Sequence, residues 1–332
     1  MATTSVETPL HDPPPFAEDD KLGPLGTPTS VLDSEPELRR SLVAAFSATA
    51  DAAREAAGKV EKGLHTAVHD YRKALRRGRA VLSLVAKALP KSERRAVRRA
   101  LQEARRAVST ARDHAVAPDV LTNLSLDEVS REAANAVLAN AQAAMPTAAE
   151  IKQLLAEGAA RAAAQVEALE AALPAGISWE VVSDGVRDVF EAAAQARSAA
   201  KRSKRQFHQW RRRSKELTYQ LEVLGGFAGS NVAELEHEIE AIADTQSPAV
   251  DLIMARDFIR TYGQGIAPEA FDQLVHSIDT QLDDLMRDSR NAGKAIFQKP
   301  AKKFARRLRK AVRKDLAPSN DERDDAAEHA RD

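Results

Sequence analysis

Proline and glycine punctuate this chain at intervals that leave room for long helices and for little else. The breaks fall at Leu89-Pro90, Ala117-Pro118, Met145-Pro146, Leu173-Pro174-Ala175-Gly176, Gly225-Gly226, Ser247-Pro248, Gly263 to Gly265 with Pro268, and Lys299-Pro300. Proline cannot continue a helix and glycine tolerates the backbone that ends one. Between the breaks, apolar residues recur at the three- and four-residue spacing of one helical face, and no alternating run of Val, Ile and Thr competes. Aromatic residues make up only 4 % of the chain against 43 % hydrophobic residues overall, alanine being abundant, which suits helices with close, small-residue interfaces. Short connections between such helices predict antiparallel bundles.

The ends read differently. Residues 1–36 contain Pro13-Pro14-Pro15 and a "GPLGTPT" run, and are expected to be a disordered leader; residues 317–332, "APSNDERDDAAEHARD", are expected to be an acidic disordered tail. The N-terminus has neither the basic nor the apolar region of a signal peptide, and no stretch reaches the roughly 18 apolar residues of a membrane span. The expected location is the cytoplasm, without membrane insertion. There are no cysteines, which excludes disulfides and thiolate metal sites.

The chain is formally neutral, with 49 basic and 49 acidic residues, but the charges are segregated. Residues 59–116 carry 16 basic and 5 acidic groups, residues 201–224 carry 8 and 2, and residues 289–316 carry 11 and 1. The intervening residues 117–200 and 225–288 are acidic, with 5 basic against 12 acidic groups and 3 against 13. Three basic blocks that converge in space would form a polyanion site.

Two of these blocks repeat one another. "VHDYRKALRRGRAVLSLV" from Val68 and "FHQWRRRSKELTYQLEVL" from Phe207 align without gaps at an offset of 139 residues. His69 meets His208, Arg72 meets Arg211, Lys73 meets Arg212, and Arg76 meets Lys215. With His69 at zero on a helical wheel, Arg72, Arg76 and Arg79 fall at about 300°, 340° and 280°. Val68, Tyr71, Leu75, Leu82 and Val85 cluster between roughly 160° and 260°, the predicted core face. The basic stripe thus lies beside the core stripe, where residues border another helix. The chain divides into two similar helical halves, residues 37–200 and 201–316.

The pattern of histidine, two residues, arginine and further cations on one face, given twice, resembles the CHAD family (conserved histidine α-helical domain). "TARDHAV" at Thr110–Val116 resembles the family's Arg-Asp motif, and "KPAKKFARRLRK" at Lys299–Lys310 its basic C-terminal helix. The resemblance spans about residues 40–315. It implies an all-α fold of two similar antiparallel four-helix bundles with pseudo-twofold symmetry, and binding of inorganic polyphosphate in a basic groove, with association to polyphosphate granules. The implied ligand residues are His69, Arg72, Lys73, Arg76, Arg77, Arg79, Arg112, His208, Arg211, Arg212, Lys215, Lys302, Lys303, Arg306 and Arg307. Two positions depart from the family pattern: Thr218 stands where the second half usually has arginine, and Ser247 where an aspartate is expected.

Arginine presents a planar fork of donors to phosphate oxygens and lysine a mobile point charge, and helices space both regularly along a linear polyanion. The scarcity of aromatics disfavours single-stranded nucleic acid, which needs stacking platforms; a nucleic-acid binder using the same groove remains the alternative, and an enzyme acting on polyphosphate a more distant one. His65 and His69 lack the glutamate and third ligand of a zinc site, and Walker, Rossmann and nucleophile-elbow motifs are absent. The reading is a binding protein, not an enzyme, with no cofactor or metal. The oligomeric state is not determined by the sequence.

Overall fold

The computed structural model describes residues 35–201 and 203–316, and among them every regular element is a helix. In chain order these are α1 (Glu35–Gly58), α2 (Leu64–Leu84), α3 (Lys91–Ala107), α4 (Ser109–Asn123), α5 (Glu128–Ala143), α6 (Ala148–Ala172), α7 (Trp179–Ala199), α8 (Lys204–Ala228), α9 (Ser230–Thr245), α10 (Ser247–Tyr262), α11 (Pro268–Ala292), α12 (Lys294–Phe297) and α13 (Ala301–Asp315). The expected tail and nearly all of the expected leader lie outside the described residues. Glu35 and Pro36, assigned to the leader from sequence, instead open α1, and the Glu35 carbonyl accepts a hydrogen bond from the Ile177 amide at 3.0 Å.

Local chemistry sets the helix starts. Thr147 and Glu150 form a reciprocal capping box at α6, and the Asp127 carboxylate accepts from the Ser130 amide at 2.8 Å to open α5. Two expected breaks are displaced. Pro118 lies inside α4, which packs along α10; the actual break is at Val108, between α3 and α4. Gly225-Gly226 continues α8, and the chain turns at Gly229, whose φ of 127° is one that only glycine adopts freely.

The helices pack in three groups. Helices α1, α2, α3 and α6 form a ring in which each touches the next; α7, α8, α9 and α13 form another in the same order. The remaining pairs, α4–α5 and α10–α11, pack on each other and join the two halves through a third cluster that two bundles alone did not anticipate. The boundary also moves. Helix α7 packs on α8 and α13, so the second group begins near residue 179 rather than 201. The repeated basic motif starts only in α8 and gave no sign of its preceding helix.

Helices α2 and α8 carry the connection between the rings. On α2 the apolar face is buried as the wheel predicted, with Val68, Tyr71, Leu75 and Leu82 inside, and on α8 Phe207, Trp210, Leu217, Leu221 and Leu224 are buried likewise. Each such side chain removed from water contributes about 1.5–3 kcal/mol. Where α2 and α8 meet, Arg77 forms a two-pronged pair with Glu222, and the Gln220 amide donates to Ser83 at 2.8 Å. Helix α7 approaches α2 so closely that a Cβ at Gly185 would lie 2.5 Å from the Leu84 carbonyl oxygen.

Candidate functional site

On the outer side of the α2–α8 contact, arginines from four helices gather. Arg72, Arg76 and Arg79 come from α2, Arg105 from α3, Arg112 from α4, and Arg211 and Arg212 from α8. Their mutual influence is visible in their protonation equilibria. Burial, with the charges of Arg105, Arg112 and Arg76, pulls Arg72 down to about 9. Burial followed by Arg79, Arg212 and Arg76 pulls Arg105 to about 10, and burial followed by Arg76 pulls Arg211 to about 10. Arginine stays charged at neutral pH even so; burial is the first cause of these shifts, and the neighbouring cations add to it. Arg79, Arg112 and Arg212 are lowered for the same first reason, burial.

Internal anions compensate only partly. The Arg112 guanidinium lies 3.2 Å from Asp113 and 3.7 Å from Asp251, and Arg211 donates to the Ser247 hydroxyl at 2.9 Å. Arg72 donates to the Arg105 carbonyl at 3.1 Å. Burial raises the pKa of both Asp113 and Asp251, with the neighbouring arginines pulling the other way. The Nε atoms of Arg76, Arg79, Arg105 and Arg211 are buried and have no acceptor among the described residues. A buried donor without a partner costs about 1–3 kcal/mol, so this cluster is built short of acceptors.

His208 sits at the edge of the cluster, exposed, in the second turn of α8. Partial burial and then the charges of Arg212, Arg112, Arg211 and Arg105 lower its pKa to about 4. His69 is likewise exposed, in the second turn of α2.

The structure thus brings together Arg72, Arg76, Arg79, Arg112, Arg211, Arg212 and His208, and separates other residues that the sequence had grouped with them. Arg77 is 4 % exposed and paired with Glu222, so it clamps α2 to α8 instead of facing an external ligand. Lys73 is 6 % exposed on the same inward flank. Lys215 is 3.1 Å from Asp244 and 3.8 Å from Glu240, its charge already answered. Lys302, Lys303, Arg306 and Arg307 belong to α13, which packs on α7 and α9 and not beside the cluster, and Arg307 is held by Glu238. The reason is common to all: a helical wheel gives a side chain's direction but not what stands opposite.

Three participants were missed. Arg105 falls one heptad after Arg98 on α3, a same-face spacing that was readable, but the matching helix α9 is acidic and the repeat gave no prompt. Asp251 supplies the carboxylate that Ser247 does not; it lies on the next turn of α10, in contact with Arg112 of the first half. Tyr219 is 5 % exposed, with Arg76 and Arg77 lying 5.9 and 5.8 Å from its ring centre. Among the described residues no group of His, Asp or Glu is arranged to hold a metal ion, and no helix is long and apolar enough to cross a membrane.

A search of curated proteins found no match. The fold does match solved structures. One is the crystal structure of the CHAD domain from the plant Ricinus communis, at a TM-score of 0.51 and 18 % identity, covering 83 % of this chain and 91 % of that one; at this identity the likeness concerns the fold. The family model of the CHAD domain matches residues 44–260, which include α2, the arginine cluster and its repeat on α8, and the chain therefore belongs to the CHAD-domain family.

Proposed function

We propose that this protein binds inorganic polyphosphate, without turning it over, along the arginine cluster between α2, α3, α4 and α8, and that this binding can place it at polyphosphate granules. The observation that carries the reading is the gathering of seven half-buried or exposed arginines, Arg72, Arg76, Arg79, Arg105, Arg112, Arg211 and Arg212, from four helices, with Asp113 and Asp251 as the carboxylates paired to Arg112. A chain of phosphates supplies oxygens to their outward N–H groups and offsets the mutual repulsion of the guanidiniums. Arg72, Arg76, Arg79, Arg105, Arg112, Arg211 and Arg212 hold the chain, His208 and His69 flank it, and Asp113 and Asp251 orient Arg112.

Nucleic acid fits less well. Tyr219, the aromatic ring beside the cluster, is buried under two arginines and offers no open face for a base. Titration with long-chain polyphosphate at rising salt tests the proposal. Neutralising six or more phosphates should cost roughly 10³-fold in affinity between about 50 and 200 mM salt. Affinity that stays flat, or nucleic acid displacing polyphosphate more readily than the reverse, refutes it.

A further inference from the structure

Helix α13 carries a second cationic surface that the arginine cluster does not use. Its apolar stripe, Phe304, Ala305, Leu308 and Val312, is buried, and the helix packs on α7 and α9. Arg307 is tied to Glu238 on α9, and Arg309 donates to Ser183 on α7 at 3.2 Å. The opposite face is exposed and holds Lys302, Arg306, Lys310 and Arg313. Among the described residues none of these four has an acidic partner. They lie within about 80° of one another around the helix, and successive cations are roughly 5–6 Å apart along about 16 Å of axis. The one acid of α13, Asp315, is turned to the α9 N-terminus, where it accepts from the Asn231 and Val232 amides at 3.0 and 3.1 Å.

The position of α13 decides what this stripe can do. In the ring α7–α8–α9–α13, α13 touches α7 and α9 and stands diagonally across from α8. The outer flank of α8 faces the arginine cluster, so the outer face of α13 points away from it. The fold does not require the stripe. In the other ring, α6 occupies the place of α13, and its sequence, "AAEIKQLLAEGAARAAAQVEALEAA", carries only Lys152 and Arg161 as cations, each beside a glutamate.

We infer that α13 is a second, separate polyanion site, and that one molecule holds two polyphosphate chains at once, one in the arginine cluster and one along Lys302, Arg306, Lys310 and Arg313. This rests on the proposed function above. A protein with two such faces links chains to one another, and does more than coat a single chain.

The test is a sandwich. Full-length protein is captured on immobilised long-chain polyphosphate, washed, and offered fluorescent polyphosphate. Wild type should retain the second chain. The variant Lys302→Gln/Arg306→Gln/Lys310→Gln/Arg313→Gln should be captured within about twofold of wild type yet retain less than about a tenth of the label. The pairs Lys302→Gln/Arg306→Gln and Lys310→Gln/Arg313→Gln should each retain an intermediate amount, and circular dichroism checks that all remain helical. Retention by the fourfold variant equal to wild type overturns the inference, because the second chain is then held elsewhere. Loss of capture by that variant also overturns it, because α13 then belongs to the first site. Retention absent in captured wild type overturns it as well. If the stripe governs adsorption to phosphatidylglycerol vesicles while second-chain retention is unaffected, its partner is a membrane and the inference fails. Wild type that is not captured at all refutes the proposed function itself, a different result from capture without a sandwich.

Discussion

Replacing Arg76 by methionine should make the empty protein more stable and the liganded one weaker. The Arg76 Nε is buried without an acceptor, and its charge lies among those acting on Arg72, Arg105, Arg112 and Arg211. Relieving the unpaired donor returns about 1–3 kcal/mol. Against this stands the loss of the guanidinium over Tyr219, 5.9 Å from the ring centre, worth about 0.5–1 kcal/mol. Methionine keeps most of the apolar stem in place. The balance is a gain of about 1 kcal/mol, which for a protein of this size raises Tm by about 1–2 °C. The same substitution removes a charge-assisted contact worth about 1.5–3 kcal/mol from the complex, so polyphosphate affinity should fall roughly 10- to 150-fold. Thermal melts at low ionic strength, with and without long-chain polyphosphate, read both effects at once: the apo transition rises and the ligand-induced shift shrinks. An apo Tm that falls, together with unchanged affinity, would show that Arg76 is a structural cation satisfied by the fold, and the argument from unpaired donors would collapse.

Three further outcomes follow from the same geometry. Arg72→Ala/Arg76→Ala should lose about tenfold more affinity than Arg211→Ala/Lys215→Ala in binding titrations, since Lys215 is already engaged by Asp244 and Glu240 and one charge-assisted contact is worth about 1.5–3 kcal/mol; equal losses would contradict it. Polyphosphate affinity should rise as pH falls from about 7 to about 5, because His208, held at about 4 in the free protein, takes up a proton beside phosphate. The free protein has the opposite trend from His208, losing stability as pH drops from about 6.5 toward 4, and His208→Gln should flatten both profiles. Asp315→Ala should destabilise by about 1–2 kcal/mol in urea unfolding, with cluster affinity unchanged, because the N-cap of α9 is Gly229, which has no side chain to cap with, and the helix takes its cap from that distant carboxylate.

The helical class, the repeat and the first stripe of the site were legible along the chain because they depend on local rules. Proline and glycine end helices wherever they stand, and a 3.6-residue period places Tyr71 inward and Arg72 beside it regardless of what surrounds them. Even here the rules had exceptions. Pro118 forfeits one helical hydrogen bond and α4 continues, and Gly226 remains helical because nothing at that point requires a turn.

What only the tertiary structure decided is which cations meet. Lys73 and Arg77 follow Arg72 and Arg76 by a single residue, yet a further 100° of turn carries them to the inner flank, where Glu222 from 145 residues away neutralises Arg77. Arg105 enters the cluster because α3 packs beside α2, and Asp251 because α10 packs along α4. Helix α13, grouped with the others by its charge, stands across the bundle from α8 and presents its lysines to the opposite side. Charge along a sequence sets how much potential is available. Its sum at any point depends on distances between helices, which are settled by the packing of apolar faces that carry no charge at all.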